Sequence, residues 1–271
     1  MKQSSGFSLI ELAMAVLIIG LLLAGALLPL SSQVETRNIA ETQRAMDAIK
    51  EAIIGFAQAN GRLPCPADGT IKAGMTNAGL ELWSGTTCTG NVFYGAVPWS
   101  TLGVPETDGW GRRFSYYVSP IFADGIAALT TNTAGQSPSC TSPIPVPTQS
   151  SFALCSQGNL TVNTRSETSP HTLNPIGQWL PVVIISHGKN GGGAYTPAGG
   201  ATLAMPANAG ADETANQLHT TGTTFVSRVQ TPAQFGACND ATGTFCEFDD
   251  IVVMISSNVL MARMIAAGKL P

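Results

Sequence analysis

A single carboxylate, Glu11, lies near the start of a long apolar segment, where a charge calls for a chemical partner. Between Phe7 and Leu30 the clearly polar residues are Ser8 and Glu11. As a helix these positions would rise about 1.5 Å each, enough to cross roughly 30 Å of hydrocarbon. A charge inside such a segment is costly unless it is compensated. The sequence therefore predicts a membrane-spanning helix whose carboxylate has a cationic partner.

The stretch from Gly6 to Leu12, GFSLIEL, resembles the N-terminus of type IV pilins and of the pseudopilins of type II secretion. The resemblance implies that a prepilin peptidase cuts after Gly6 and that the new N-terminal Phe7 is methylated. It also implies that Glu11 meets the N-terminal amine of a neighbouring subunit as a filament assembles. The implied partners are this peptidase, other pilin or pseudopilin subunits, an inner-membrane assembly platform and, before assembly, the membrane.

An ordinary signal anchor and a secretory signal peptide are the alternative explanations of the same segment. A secretory signal would end at a small-residue cleavage site, after a short apolar region and before a polar mature start. Here residues 1–6 carry one basic side chain, Lys2, and no such cleavage site follows. A positive amine on Phe7 and the carboxylate of Glu11 would both be unfavourable in lipid alone, and pairing them between subunits relieves both costs.

Further along the chain, His187, Asp249 and Asp250 are the side chains that most invite an enzymatic interpretation. Lys189 precedes the glycines that follow His187, so the spacing is not that of a P-loop and a flexible exit from a strand is expected. Asp249 and Asp250 are adjacent, so within a strand they would point to opposite faces and could not act as an acid–base pair. The sequence thus predicts no catalytic residue, no metal ligand and no cofactor; the alternative is a calcium site in which one of these aspartates joins loop oxygens.

Nucleic acid is not an expected partner. Arg112 and Arg113 adjoin aromatic residues at positions 110, 114, 116 and 117, which could form a small basic and aromatic patch. However, the chain has a net charge of −4 and only 11% charged residues. Two arginines in such a chain do not make a field that attracts nucleic acid.

Six cysteines follow the apolar segment, and an even number in an exported domain predicts disulfides. Proximity along the chain favours three local pairs among the 15 possible pairings. A zinc site is the alternative, but no C-x-x-C spacing occurs and the chain has three histidines. The favoured pairs are Cys65–Cys88, Cys140–Cys155 and Cys238–Cys246.

The first helix is expected to continue well beyond the membrane. Apolar residues recur at helical spacing after position 38, with charged residues on the other faces. Pro29 separates the membrane half from this amphipathic half and should kink the helix, whereas Gly61 should end it. The predicted organisation is a leader at 1–6, the helix at 7–60 and a globular head at 61–271. The amphipathic stripe consists of Ile39, Met46, Ile49, Ile53 and Phe56.

The head should have an α+β fold, an antiparallel β-sheet on which the long helix packs, with long loops and a short C-terminal helix. Strands are predicted at 114–118, 179–186 and 251–256, and the last helix at 258–267. Segments 131–175 and 194–224 are rich in small and polar residues, so both are predicted to be surface loops. His171 and His219 fall in these loops and should be exposed to solvent.

These features favour a structural subunit of a type IV pilus-like filament or of a type II secretion pseudopilus. The large head favours a minor subunit, and a major subunit with a large head is the alternative. The precursor would lie in the bacterial inner membrane with its head in the periplasm. It would then enter a pilus or pseudopilus, in the periplasm or at the cell surface. One alternative is an adhesin, a surface-binding module displayed on the filament through the loops; a less favoured one is a membrane-anchored periplasmic enzyme.

Overall fold

The structure, a computed structural model, describes residues 8–125, 149–207, 209–217, 222–233 and 236–270, without the side chains of residues 22–32. Within these residues the fold is α+β, as predicted: a long N-terminal helix packs on an antiparallel sheet, and a short helix ends the chain. In chain order the helices are α1 (Leu9–Asn60), α2 (Trp99–Leu102), α3 (Pro120–Ala123), α4 (Ala211–Asn216) and α5 (Ser257–Ala266). The strands are β1 (Tyr94–Ala96), β2 (Ser115–Val118), β3 (Leu160–Arg165), β4 (Leu173–Leu180), β5 (Val182–Ser186), β6 (Thr224–Val226) and β7 (Ile251–Ile255).

Helix α1 is continuous from Leu9 to Asn60, and its predicted stop at Gly61 is confirmed. Gly61 has the left-handed conformation, φ 72°, and its N–H donates to the carbonyl of Ala57 at 2.8 Å. A side chain at this position would collide with the carbonyl of Gln149, so glycine is required on two grounds. Pro29 lies within the continuous helix, and a kink there stays a prediction because its side chain is outside the described residues.

The main sheet has the order β1-β2-β5-β7, and all its neighbouring strands are antiparallel. Successive side chains of a strand point to opposite faces, and both faces of β5 are covered. Val182 and Ile184 belong to the core shared with α1, whereas Val183 and Ile185 belong to the core on the other face. Burial on both faces explains why β5 is an unbroken apolar run rather than an alternating one.

The second sheet, with the order β4-β3-β6, covers the face of the main sheet opposite α1. Strands β3 and β4 are antiparallel, but β3 and β6 are parallel. Most of this sheet lies in segments predicted to be loops, so that prediction was wrong for β3 and for the start of β4. Residues 131–148 of the first segment lie outside the described residues. Leu160 and Val162 are buried at alternating positions of β3, a period that the surrounding serines, threonines and prolines obscured.

Two predicted disulfides, Cys65–Cys88 and Cys238–Cys246, are confirmed. The first joins the exit of α1 to the loop before β1, and both its cysteines are buried in the core with α1. Cys155 is also disulfide-bonded. Its predicted partner, Cys140, lies outside the described residues.

Candidate functional site

The N-terminal site is described from Ser8 onwards, so Gly6 and Phe7 lie outside the described residues. Ser8 and Glu11 form a capping box at the start of α1. The N–H of Ser8 donates to Glu11 Oε2 at 2.9 Å, and the N–H of Glu11 donates to Ser8 Oγ at 3.3 Å. This arrangement satisfies two backbone donors at the start of the helix and places a carboxylate at its positive end.

The helix turns that follow are exposed in the part of the chain that the structure describes. Every described side chain from Ser8 to Leu21 is exposed, including Leu9 at 88%. Within the described residues, none of the helices combines the length and the apolar character that crossing a membrane requires. The predicted span at 7–30 includes residue 7 and side chains from 22 onwards that are not described.

A second candidate site is the carboxylate cluster of Glu213, Asp249 and Asp250. One carboxylate oxygen from each lies within 4.8 Å of the others. The expectation that Asp249 and Asp250 point apart was wrong, because β7 begins only at Ile251 and neither aspartate is part of the strand. The third carboxylate comes from α4, in a segment where the sequence predicted a loop.

Protein donors hold one oxygen of each of these carboxylates. Asn190 Nδ2 donates to Glu213 Oε1 at 2.8 Å, and the backbone N–H of Asn190 donates to Asp249 Oδ2 at 2.6 Å. Asn216 Nδ2 donates to Asp250 Oδ2 at 2.9 Å. The other oxygens of Glu213 and Asp249, Oε2 and Oδ1, are buried without a hydrogen-bond partner. The cluster therefore has fixed orientations and unsatisfied acceptors.

The cluster resists carrying three negative charges. Burial raises the pKa of Glu213 to about 8, and the negative charge of Asp250 adds to the shift. Burial also raises the pKa of Asp249 to about 6. Desolvation and neighbouring like charge both disfavour the ionised form of a carboxyl group.

Ser115, His187 and Asp250 are aligned in the order of a hydrolase triad. Ser115 Oγ lies 2.8 Å from His187 Nε2, but His187 Nδ1 is 3.6 Å from Asp250 Oδ1, beyond hydrogen-bond distance. Ser115 and His187 are 1% and 0% exposed, so a substrate cannot reach the serine oxygen. The arrangement is part of the polar interior, and the predicted flexible exit at His187 is instead a buried, hydrogen-bonded turn.

The basic and aromatic patch considered for nucleic acid does not form. The Arg113 side chain is fully buried and donates to Glu106 Oε1 at 2.6 Å. Phe114, Tyr116 and Tyr117 are buried in the two cores. Arg112 Nη1 donates to the carbonyl of Gly188 at 2.7 Å, so this side chain also serves the interior of the head.

His171 was expected to be exposed, and that prediction was wrong. Its Nδ1 is 2.8 Å from the carbonyl oxygen of Ser166, and its ring centroid is 4.3 Å from that of Phe245. The partner ring comes from a segment more than seventy residues away in sequence, which no local pattern indicates. His219 lies outside the described residues.

Comparison with known proteins identifies the N-terminal segment. Residues 1–27 match the family model described as the prokaryotic N-terminal methylation motif. This motif is the signature of type IV pilins and pseudopilins, and the chain carries it. It implies processing by a prepilin peptidase, anchoring in a membrane and later assembly with other pilin subunits. No curated protein and no solved structure matches the chain.

Proposed function

We propose that this chain is a structural subunit of a type IV pilus-like filament or of a type II secretion pseudopilus. The observation that carries the proposal is the methylation motif at residues 1–27, placed at the start of a helix whose two halves have opposite surroundings. Apolar side chains at 9–21 are exposed, whereas those at 45–57 are largely buried against the head.

The exposed first half of α1 requires a cover that the described part of the chain does not supply, because so large an apolar surface is unfavourable in water. A bilayer covers it before assembly. Packing against the same segment of neighbouring subunits covers it afterwards. The second half anchors the head to this segment through buried residues such as Met46, Ile49 and Ile53, so the head follows the helix into the filament.

Glu11 gives this assembly its axial register in our proposal. Its carboxylate lies at the N-terminal end of α1, exposed, with Oε2 accepting from the backbone of Ser8. The methylated amine of Phe7 on a neighbouring subunit would be an unpaired positive charge among apolar helices. Bringing the two together compensates both charges, which fixes one axial offset between subunits.

Substitution of Glu11 tests the proposal directly. We expect Glu11→Ala precursor to be cleaved normally but its presence in sheared filaments to fall by about a hundredfold, because an uncompensated buried charge costs about 3 kcal/mol or more. Mass spectrometry of N-terminal peptides measures processing in the membrane fraction and incorporation in the filaments. Asp47→Ala, which removes an exposed carboxylate from the second half of α1, is the matched control.

The same experiment distinguishes a failure of the charge pairing from a failure of the proposed filament function. Normal incorporation of Glu11→Ala chain would refute the pairing. Absence of the unsubstituted chain from filaments, with Met1 retained in the membrane, would refute the filament function itself. High abundance of the methylated Phe7 peptide would indicate a major subunit, and trace abundance a minor one.

An adhesin role is the second candidate, and strand β4 is the observation that favours it. This edge strand exposes three apolar side chains, Leu173, Ile176 and Trp179, in a sheet far along the chain from α1. Trp179 adopts φ 56°, a conformation that is unusual for a bulky residue and often found at functional sites. Replacing Ile176 and Trp179 by serine should abolish surface binding by sheared filaments without reducing assembly, whereas Val229→Ser, also exposed, should not.

A further inference from the structure

We propose that the carboxylate cluster of Glu213, Asp249 and Asp250 is a binding site for a hard divalent cation, with Ca²⁺ the best fit. The site lies in the head, remote in sequence from the N-terminal motif. It adds a ligand to the filament function proposed above and does not depend on that function.

The spacing of the ligand atoms suits one cation. One oxygen from each carboxylate lies within 4.8 Å of the others. Calcium binds oxygen at about 2.4 Å, so two ligands of one calcium ion are at most about 4.8 Å apart. Water molecules would complete the six to eight ligands that calcium takes.

The cluster has acceptors that the protein itself does not satisfy. Glu213 is 2% exposed, yet its Oε2 has no hydrogen-bond partner, and neither does the buried Oδ1 of Asp249. A buried acceptor without a partner is costly and calls for a specific explanation. A cation between these oxygens supplies the missing partner and offsets the repulsion between the carboxylates.

The surrounding hydrogen bonds hold the carboxylates in fixed orientations, as hydrogen bonds to the ligands of a metal site do. Asn190 donates to one oxygen of Glu213 and to one of Asp249, and Asn216 donates to one oxygen of Asp250. Each donor holds one oxygen and leaves the other for a cation.

The chemistry of the ligands selects among metals. All three are carboxylate oxygens, which suit calcium and magnesium and not zinc, whose sites are built mainly from nitrogen and sulfur. Magnesium demands near-ideal octahedral geometry and retains its water. Calcium tolerates irregular arrangements of oxygen ligands, so it suits this site better. Its binding would tie α4, which supplies Glu213, to the residues before β7, which supply Asp249 and Asp250.

Calcium titration of the full processed chain in detergent, after treatment with EDTA, tests the site. We expect isothermal titration calorimetry to show one calcium bound per chain and near-ultraviolet circular dichroism to show a raised Tm. At a hundredfold excess of free calcium over Kd the Tm should rise by roughly 5–10 °C. Absence of both signals in the unsubstituted chain would overturn the proposal.

Substitution of Glu213 distinguishes a ligand from a merely structural residue. Glu213→Gln keeps an oxygen to accept from Asn190 but replaces the other carboxylate oxygen with an NH2 group, which cannot bind a cation. We expect it to abolish the calcium response while leaving the metal-free Tm nearly unchanged, because the amide has almost the same size as the carboxyl group and keeps the hydrogen bond from Asn190. Glu167→Gln, which removes an exposed carboxylate elsewhere in the head, should retain the full response.

Asp249→Asn provides a second variant at a partly buried position, in case Glu213→Gln does not fold. It should reduce calcium affinity at least tenfold with little change in the metal-free Tm. Retention of the full calcium response in either variant would overturn the proposal. Normal filament assembly by either variant would separate this result from a test of the filament function.

Discussion

In the first half of α1 every described side chain from Ser8 to Leu21 is exposed, whereas in the second half Met46, Ile49 and Ile53 are completely buried. Both halves are helical, so secondary structure does not explain the difference. The second half has charged faces that fix which side meets the head, and the head supplies the opposing core. The first half is apolar on all its faces, so its partners must surround it. Folding of the head therefore depends on the second half of α1, and we assign assembly to the first half.

The largest expected effect comes from preventing processing, which acts on the first half alone. Gly6→Leu should block cleavage almost completely, because the resemblance implies a peptidase that requires a small residue before the cut. A shift in mobility and the mass of the N-terminal peptide measure the result. Gly6→Ala should be processed nearly as well as the unsubstituted chain, and efficient cleavage of Gly6→Leu would refute this interpretation of the motif.

Shortening one apolar side chain in each half should separate folding from assembly. Ile53→Ala creates a cavity in the main core and should cost about 2–5 kcal/mol, which corresponds to a Tm lower by roughly 5–15 °C. Leu17→Ala, at a position 63% exposed, should leave the unfolding of the head unchanged. Thermal denaturation in detergent measures the Tm of both variants. Equal losses of stability would contradict the proposal that only the second half of α1 stabilises the head.

Removing the Cys65–Cys88 disulfide should loosen the exit of α1 from the core. The double substitution to alanine should cost about 3.4 kcal/mol, because the bond closes a longer loop than the Cys238–Cys246 bond, for which about 2.5 kcal/mol is expected. The sequence separations are 23 and 8 residues. Denaturant unfolding of the two double variants gives the difference, and a greater loss at Cys238–Cys246 would show that loop length does not decide it.

The smallest effect should come from the surface ion pair between Arg263 on α5 and Glu51 on α1. Their side chains are 51% and 61% exposed, so Arg263→Gln should change stability by at most about 0.5 kcal/mol. Arg62, which pairs with Glu81 at 2.9 Å in a largely buried position, provides the contrast. Arg62→Gln should cost about 3 kcal/mol. Similar denaturation midpoints for the two variants would mean that burial does not control these pairs.

Elements with one strong local signal were predictable from the sequence. Gly61 ends α1, and the apolar run predicted as a strand at 179–186 contains strand β5, because turn and period signals act within a few residues. Strand β3 was not predicted, because its two buried apolar residues, Leu160 and Val162, lie among threonines and an asparagine. Its partner β6 is parallel and about sixty residues away, a pairing that no local pattern specifies.

The sequence by itself determined the N-terminal motif, the helical period of α1 and two of the disulfide pairs. Each depends on residues close together along the chain. Only the tertiary structure brings the three carboxylates of the cluster together, because Glu213 is more than thirty residues from Asp249 and Asp250 along the chain. It also decided the burial of Arg113. The physical reason is common to both: the environment of a polar side chain is set by the elements packed around it, and those elements come from distant parts of the chain.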